Sequence, residues 1–292
     1  MRLLLLTIVL CISSLSRGDY AVVIQKHSAI LDDVASDIIS KIDNQKGIVL
    51  DINEFNASNK NKFELIVTVG EHPLSAVNDN ISLQQTAVLS TFIPRSAFKA
   101  APNRAAIFND INLSIHTKLL SLIFKDRKAD IGLFHAGGYP DLENEIHRIN
   151  NETVLNIIPY KLSPGENPEK IIRSYAKLNE IDAFIIMPSP NIYNTNNLSS
   201  ILYALYQHKI AAVGYSKGLV DNGVGAVIAA YFTKEQIIYT AQTTIKDFYT
   251  KGRFEKHIQT PGIANIAVNN RLAKSLDINL DHIDALNGVI NE

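Results

Sequence analysis

The chain contains one cysteine, Cys11, and it lies so near the start that removal of a leader would leave no thiol for a disulfide. Export to an oxidising compartment permits disulfides without requiring them, and a mature chain of about 270 residues buries enough apolar surface to fold without any. Beyond the N-terminus no stretch has the roughly 20 apolar residues that a membrane helix needs. An excess of one charge sign is missing too. The 28 Lys and Arg nearly cancel the 29 Asp and Glu. There is no basic stripe or tail of the kind that neutralises phosphate backbones, so nucleic acid is not an expected partner. The 8 histidines are scattered, with no H-x-x-x-H, HExxH or cysteine cluster, and no metal is expected. No GxxxxGK[ST] loop occurs, and no cofactor is expected. The two halves share no repeated sequence, and no low-complexity linker divides them.

What the chain does have begins with a leader. Arg2 supplies a short positive region, residues 3–15 are mostly apolar, and Ser14, Ser16 and Gly18 offer small residues for cleavage. Residues 1–18 are therefore expected to be a signal peptide delivering the protein to the periplasm or outside the cell. Lipid attachment at Cys11 is disfavoured by the bulky Leu10 before it. Losing Arg2 and Arg17 leaves a mildly acidic mature protein.

From residue 20 on, strand-like and helix-like runs alternate, the pattern of parallel βαβ units. Strands are expected near 20–25, 47–52, 65–69, 87–92 and 104–108, with helices near 30–42 and 73–77. The series then restarts. Ile111, Ile115, Leu119, Leu122 and Ile123 form one helical stripe over 111–124. Strands follow near 129–135, 154–159, 182–187, 210–213 and 226–231. A long helix is expected over 234–251, a charged loop over 252–262, a short strand at 265–268 and short helices at 270–276 and 282–286. Two series of this length suggest two Rossmann-like α/β lobes with parallel sheets joined by short hinge strands. The expected division is residues 19–108 plus about 224–255 in lobe 1, and 109–223 plus about 262–292 in lobe 2.

In such folds ligands bind at the carboxyl ends of the strands. The segment 182–231 shows this best, because its apolar runs end abruptly in Pro188-Ser189-Pro190-Asn191 and Gly214-Tyr215-Ser216. The turn at Gly70 brings Glu71 and His72 to a helix start, as ligand contacts or as dipole-favoured residues. Arg95 either grips a ligand carboxylate or sits solvated in a first helical turn. His135 and Tyr139 flank glycines that make the turn or let backbone approach a ligand. Ser189, Asn191 and Tyr193 offer polar groups and an aromatic wall, although Asn191 or Asn194 also suits a helix cap. Ser216 and Asn222 lie at the next turn. Gly214-Tyr215-Ser216-Lys217-Gly218 is also a formal G-x-S-x-G match. A hydrolase would then need an acid (Asp221 or Asp247) and a histidine (His257 or His282). The glycines after Ser216 break the long helix that normally follows such an elbow, so no catalytic residue is expected.

Residues 65–71 (LIVTVGE), 88–98 (VLSTFIPRSAF), 107–120 (IFNDINLSIHTKLL), 183–194 (AFIIMPSPNIYN), 214–241 and 264–280 occur in an order that resembles the substrate-binding proteins of ABC transporters. The similarity is to the type I periplasmic fold, in the branch named for tryptophan and tyrosine uptake. It implies a monomeric, non-enzymatic protein that traps a small polar or amphipathic solute, amino-acid-like as a first guess, for an ABC permease. A periplasmic sensor working with a membrane receptor is the alternative. Two departures stand out: Glu71 and His72 replace a small hydroxyl residue, and Pro190 replaces an acidic one.

Overall fold

The computed structural model describes residues 19–25, 29–42, 45–58, 63–125, 127–137, 141–163, 165–177, 181–189, 191–221 and 225–280. The expected leader, Cys11, Tyr139, Pro190, Asn222 and the helix expected at 282–286 lie outside the described residues.

The first half runs β1 (Asp19–Ile24), α1 (Ala29–Ser40), β2 (Gly47–Asp51), α2 (Ile52–Ala57), β3 (Phe63–Val69), α3 (Glu71–Asn78), β4 (Ala87–Ile93) and β5 (Arg104–Phe108). The second runs α4 (Leu113–Phe124), β6 (Ala129–His135), α5 (Leu142–Glu152), β7 (Leu155–Lys161), α6 (Pro168–Lys177), β8 (Ala183–Ile185), α7 (Leu198–Gln207), β9 (Ala211–Gly214), α8 (Lys217–Asp221) and β10 (Ile228–Tyr231). Then come α9 (Lys234–Lys251), β11 (Ile258–Gln259), β12 (Asn265–Val268) and α10 (Asn270–Ser275). The central strands are buried on both faces, which is why they read as unbroken apolar runs and not as alternating ones.

Among the described residues these strands form two six-stranded sheets, ordered β2-β1-β3-β4-β5-β11 and β7-β6-β8-β9-β10-β12. Every paired strand is parallel except β12, which runs antiparallel to β10. The fold is thus the expected pair of α/β lobes, with two corrections. Residues 228–231 were expected in lobe 1, but β10 pairs with β9 and belongs to the second sheet. The chain crosses afterwards, at Phe232 and Thr233. The loop expected over 252–262 contains β11, whose Ile258 and Gln259 pair with Ala106 and Ile107 and close the first sheet. Two residues are too few to show a periodic signal. The α2 helix was also missed, although Asp51 and Glu54 form a reciprocal capping box at its start.

Three segments join the lobes: residues 109–112 between β5 and α4, 232–233 between β10 and α9, and 260–264 between β11 and β12. Each leaves from the carboxyl end of a parallel strand. The path from Tyr231 to Lys234 spans at most about 11 Å when extended. Both sheets therefore present their carboxyl edges toward the crossings, and toward each other. After crossing, α9 packs on α1, β4 and β5, and Gln242 Nε2 donates to the Asp37 carbonyl of α1 at 2.7 Å.

The crossings are held by apolar burial. Ile111, Phe232 and Ala264, one from each, are buried in a single core cluster with Val67, Val69 and Ile107 of the first lobe and Val213, Val227 and Ile228 of the second. Ile111→Ala and Phe232→Ala should each cost about 2–5 kcal/mol, the usual loss for a large buried side chain. Urea denaturation checks this, and a loss below about 1 kcal/mol in both variants would mean that the crossings are mere tethers.

Candidate functional site

In an open parallel sheet a crevice forms where neighbouring strands send their connections to opposite sides. In the first sheet that point lies between β1 and β3, because β2 is laid down on one side and β3 on the other. In the second it lies between β6 and β8, flanked in the same way by β7. The turn after β3 is Gly70-Glu71-His72. The turns after β6 and β8 hold His135-Ala136-Gly137 and Met187-Pro188-Ser189. Chain order alone thus brings Glu71, His72, His135 and Ser189 to the two switch points.

On the first edge, Gly70 sits at φ 90°, a region that side chains disfavour, and turns the chain from β3 directly into α3. Its N–H donates to the Thr91 carbonyl at 2.9 Å. Glu71 and His72 are exposed in the first helical turn. Arg95 is committed within its own lobe. Asp110, fully buried, accepts from the Arg95 backbone N–H at 3.1 and 3.2 Å. The Arg95 Nε lies 4.0 Å from the same carboxylate, and its guanidinium stacks over the Phe108 ring at 4.7 Å. The buried carboxylate is what holds Arg95, and no motif around Asp110 signals that role.

Between these turns β4 carries a bulge. The β4–β5 register shifts between Thr91 and Ile93, and Phe92 adopts φ 55°. For a bulky residue this is a true outlier, costing about 1–3 kcal/mol. Asn109 spans it, its N–H donating to the Ile93 carbonyl at 3.1 Å and its Nδ2 reaching the Phe92 carbonyl at 3.5 Å.

On the second edge, His135 is half-buried, and burial followed by the nearby Lys161 charge pushes its imidazole below the ordinary value, with Glu143 opposing. The Ser189 carbonyl accepts from the N–H groups of Ile192 and Tyr193 at 2.9 and 2.7 Å, closing a tight turn that leaves Asn191 exposed. Asn194 and Asn197 build the next turn through their own side chains. Tyr193 corrects the expectation of an aromatic wall. Its ring is buried in the second-lobe core with Phe134 and Phe184, and burial pushes its phenol well up. Tyr215 is the half-buried aromatic at this edge, beside Ser216, and burial raises its phenol as well. A cavity of about 450 Å³ opens at this edge among Ala136, Ser163, Glu166, Asn191 and Asn197. A larger one of about 620 Å³ lies at the opposite, amino end of the second sheet, around Arg127, Asp182 and Lys209.

Of the hydrolase partners, His257 and Asp247 are not brought to Ser216, and His282 lies outside the described residues. His257 Nδ1 lies 2.8 Å from the Arg104 carbonyl at the amino end of the first sheet, and Asp247 pairs with Lys251 at 3.9 Å on α9. Ser216 is at the carboxyl edge of the second. Gly214 is required by packing, since a Cβ there would meet Leu219 Cδ1 at 2.9 Å and Ala226 Cβ at 3.2 Å. Among the described residues no cluster of His, Cys, Asp and Glu could hold a metal, and no helix is long and apolar enough to cross a membrane.

No protein-family model matches this sequence, and no curated protein matches it. Solved structures do share the fold. A conserved domain protein from Vibrio cholerae is 13% identical with TM-score 0.63, over 94% of this chain and 99% of that one. A ligand-free, open substrate-binding protein with adhesive properties from Clostridium difficile is 13% identical with TM-score 0.66, over 90% and 95%. An ABC domain in complex with L-Trp from Streptococcus pneumonia is 11% identical with TM-score 0.62, over 94% and 99%. At these identities the likeness is one of fold: two-lobed, as in periplasmic binding proteins.

One titrating group lies just behind the site. His116 of α4 is fully buried, its Nδ1 3.1 Å from the Asn112 carbonyl. Burial pushes its pKa down to about 4, against the carbonyls of Asn112 and Gly214. The folded state therefore keeps it neutral below the ordinary value of 6.5, where the unfolded chain takes up a proton. Stability should fall as pH drops from 6.5 to 4, by on the order of 3 kcal/mol from this group. Chemical denaturation of the wild type and His116→Gln across that range checks it: the two curves should converge on acidification, and parallel curves would exclude His116 as the cause.

Proposed function

We propose that this chain is an exported solute-binding protein, in which the carboxyl edges of the two sheets clasp a small molecule without altering it. The observation that supports this most is the placement of the three crossings, all leaving strand carboxyl ends at the edges where both switch points lie. Binding energy then shifts an open–closed equilibrium, and a membrane partner of the ABC-permease kind reads the closed form. The proposed contacts are Glu71 and His72 from the first lobe and His135, Ser189, Asn191 and Ser216 from the second, with Tyr139 and Asn222 at the same turns in sequence. Arg95, held by Asp110, shapes its turn and contributes less directly.

An amino-acid-like ligand fits the charges. Glu71 stands at one edge and Lys161 and Lys217 at the other, so a zwitterion finds an opposite charge in each lobe. The leader at residues 1–18 supports delivery outside the cytoplasm, and mature-chain mass spectrometry reads the cleavage point.

A thermal-shift screen of amino acids, nucleosides and sugars tests the reading. A true ligand at 100 times its Kd stabilises by about 2.7 kcal/mol, and so raises the Tm by about 5–10 °C. Ser216→Ala should weaken that shift without affecting any esterase background. A broad screen with no stabiliser would overturn solute binding.

A further inference from the structure

Two buried hydroxyls at the amino end of the first sheet, the end away from the crossings, have no partner among the described residues. Tyr20 of β1 is fully buried, Tyr249 of α9 is half-buried, and neither phenol oxygen finds a hydrogen bond. Their rings lie 6.4 Å apart. A phenylalanine would fill the same space at either place, and an unpaired buried hydroxyl is a net cost. The fold nevertheless makes room for one of them. Gly47 pairs with Tyr20 on the neighbouring strand β2, and a Cβ at Gly47 would stand 2.5 Å from the Tyr20 hydroxyl oxygen.

The surroundings of these hydroxyls select one kind of ligand. A cavity of about 500 Å³ opens here among Phe63, Glu64, Phe248, Tyr249 and Gly252. Burial, followed by Glu64, Tyr20 and Asp19, pushes the Tyr249 phenol up, so two carboxylates bear on it and no cation does. The last turn of α9 adds the negative end of an 18-residue helix. Lys251 in that turn is engaged by Glu255 at 2.8 Å and Asp247 at 3.9 Å. An ammonium group brings three donors, and the two phenol oxygens and the Glu64 carboxylate are three acceptors. One nitrogen able to become such a group is already close. Asp19 opens β1, pairs with Phe63 and adjoins Tyr20. Cleavage of the leader after Gly18, with Ser16 and Gly18 as the small residues the cut requires, would free its α-nitrogen. Resting on the export reading above, we propose that these groups form a binding site for a primary ammonium, and that the α-ammonium of mature Asp19 occupies it. In the uncut precursor the same nitrogen is a neutral amide, so the site distinguishes the two forms of the chain.

The test begins with mass spectrometry of the exported protein, which should start at Asp19. Any other first residue overturns the assignment, and a chain that keeps its leader removes the export reading with it. Melting is then compared for the mature chain, the same chain with one glycine before Asp19, and the mature chain acetylated on its α-nitrogen. The glycine moves the ammonium by about 3.5 Å, and acetylation removes it. Both changes should lower the Tm by about 2–4 °C, the shift that one lost interaction of moderate strength produces in a chain of this size. Crowding by the added atoms would do so too, and Tyr249→Phe and Glu64→Gln separate the two causes. In either background the same changes at the N-terminus should lower the Tm far less, because the partner of the ammonium is already gone. Glu64→Gln, at an exposed position, serves if Tyr249→Phe does not fold. No loss in the parent chain, or an undiminished loss in the variants, overturns the site while leaving solute binding intact. Solute affinity should be equal in all these chains, since the proposed contacts lie at the other end of the sheet.

Discussion

The architecture depends on a restriction on where the chain is allowed to change lobes. A parallel strand ends at one edge of its sheet, and a short connection can only reach something near that edge. All three crossings start from such ends. Two sheets joined three times in this way cannot turn their carboxyl edges apart without stretching segments of a few residues. The apolar cluster through Ile111, Phe232 and Ala264 then makes the joint a packed body. Burial of these side chains is the force that keeps the edges opposed, and the polar turns inherit their positions from it.

Those turns are less independent than they look. Hydrogen bonds link the ends of β3, β4 and β5 in series: the Gly70 N–H to the Thr91 carbonyl, the Asn109 N–H to the Ile93 carbonyl, and the Arg95 N–H to the Asp110 carboxylate. A displacement at Glu71 is felt through Thr91 and the bulge before it reaches the first crossing. The buried carboxylate of Asp110 secures the last link, since a charge in that position is stable only while its donors stay in place. On the second edge the Ser189 turn and the asparagines after it do the same with neutral groups. The proposed binding surface is loop in appearance and rigid in connection.

Much of the fold could be read from the residues alone because its signals are long. Apolar runs such as 129–135 and the amphipathic stretch 234–251 match β6 and α9 residue for residue. Where the sequence failed, the deciding partner was distant. Whether 228–231 pairs with the first or second sheet depends on β9, and the two residues of β11 become a strand only beside Ala106 and Ile107. The site behaved likewise. Turn residues at strand ends could be found by their neighbours in the chain, which is how Glu71, His135 and Ser189 stood out. Side-chain direction could not. Tyr193 follows its turn into the core, Arg95 is taken by a carboxylate fifteen residues on, and Phe92 owes its aspect to a register slip that no propensity records.

The same bonds also locate the flexible points. In the first crossing Asp110 is tied to Arg95 and moves with lobe 1, whereas the Asn112 side chain accepts from the Ile115 N–H at 2.9 Å and so moves with α4 and lobe 2. Only the torsions around Ile111 are left to absorb rotation. In the second, Tyr231 belongs to β10 and Thr233 is fixed in the capping box of α9, leaving Phe232. The third is fastened to the second: Gln236 donates to the Ile263 carbonyl at 2.8 Å and accepts from Asn265 Nδ2 at 2.7 Å. Hinges need a few residues that absorb changes of φ and ψ, and these need not be small. Here both are large and buried, so in the proposed closure the backbone would turn while the side chain stays anchored. In the proposed closure such a rotation would keep the apolar cluster packed, and only the polar edges would exchange water for solute. On that proposal the free energy separating open from closed would be concentrated at the edges, where a ligand touching both lobes changes it.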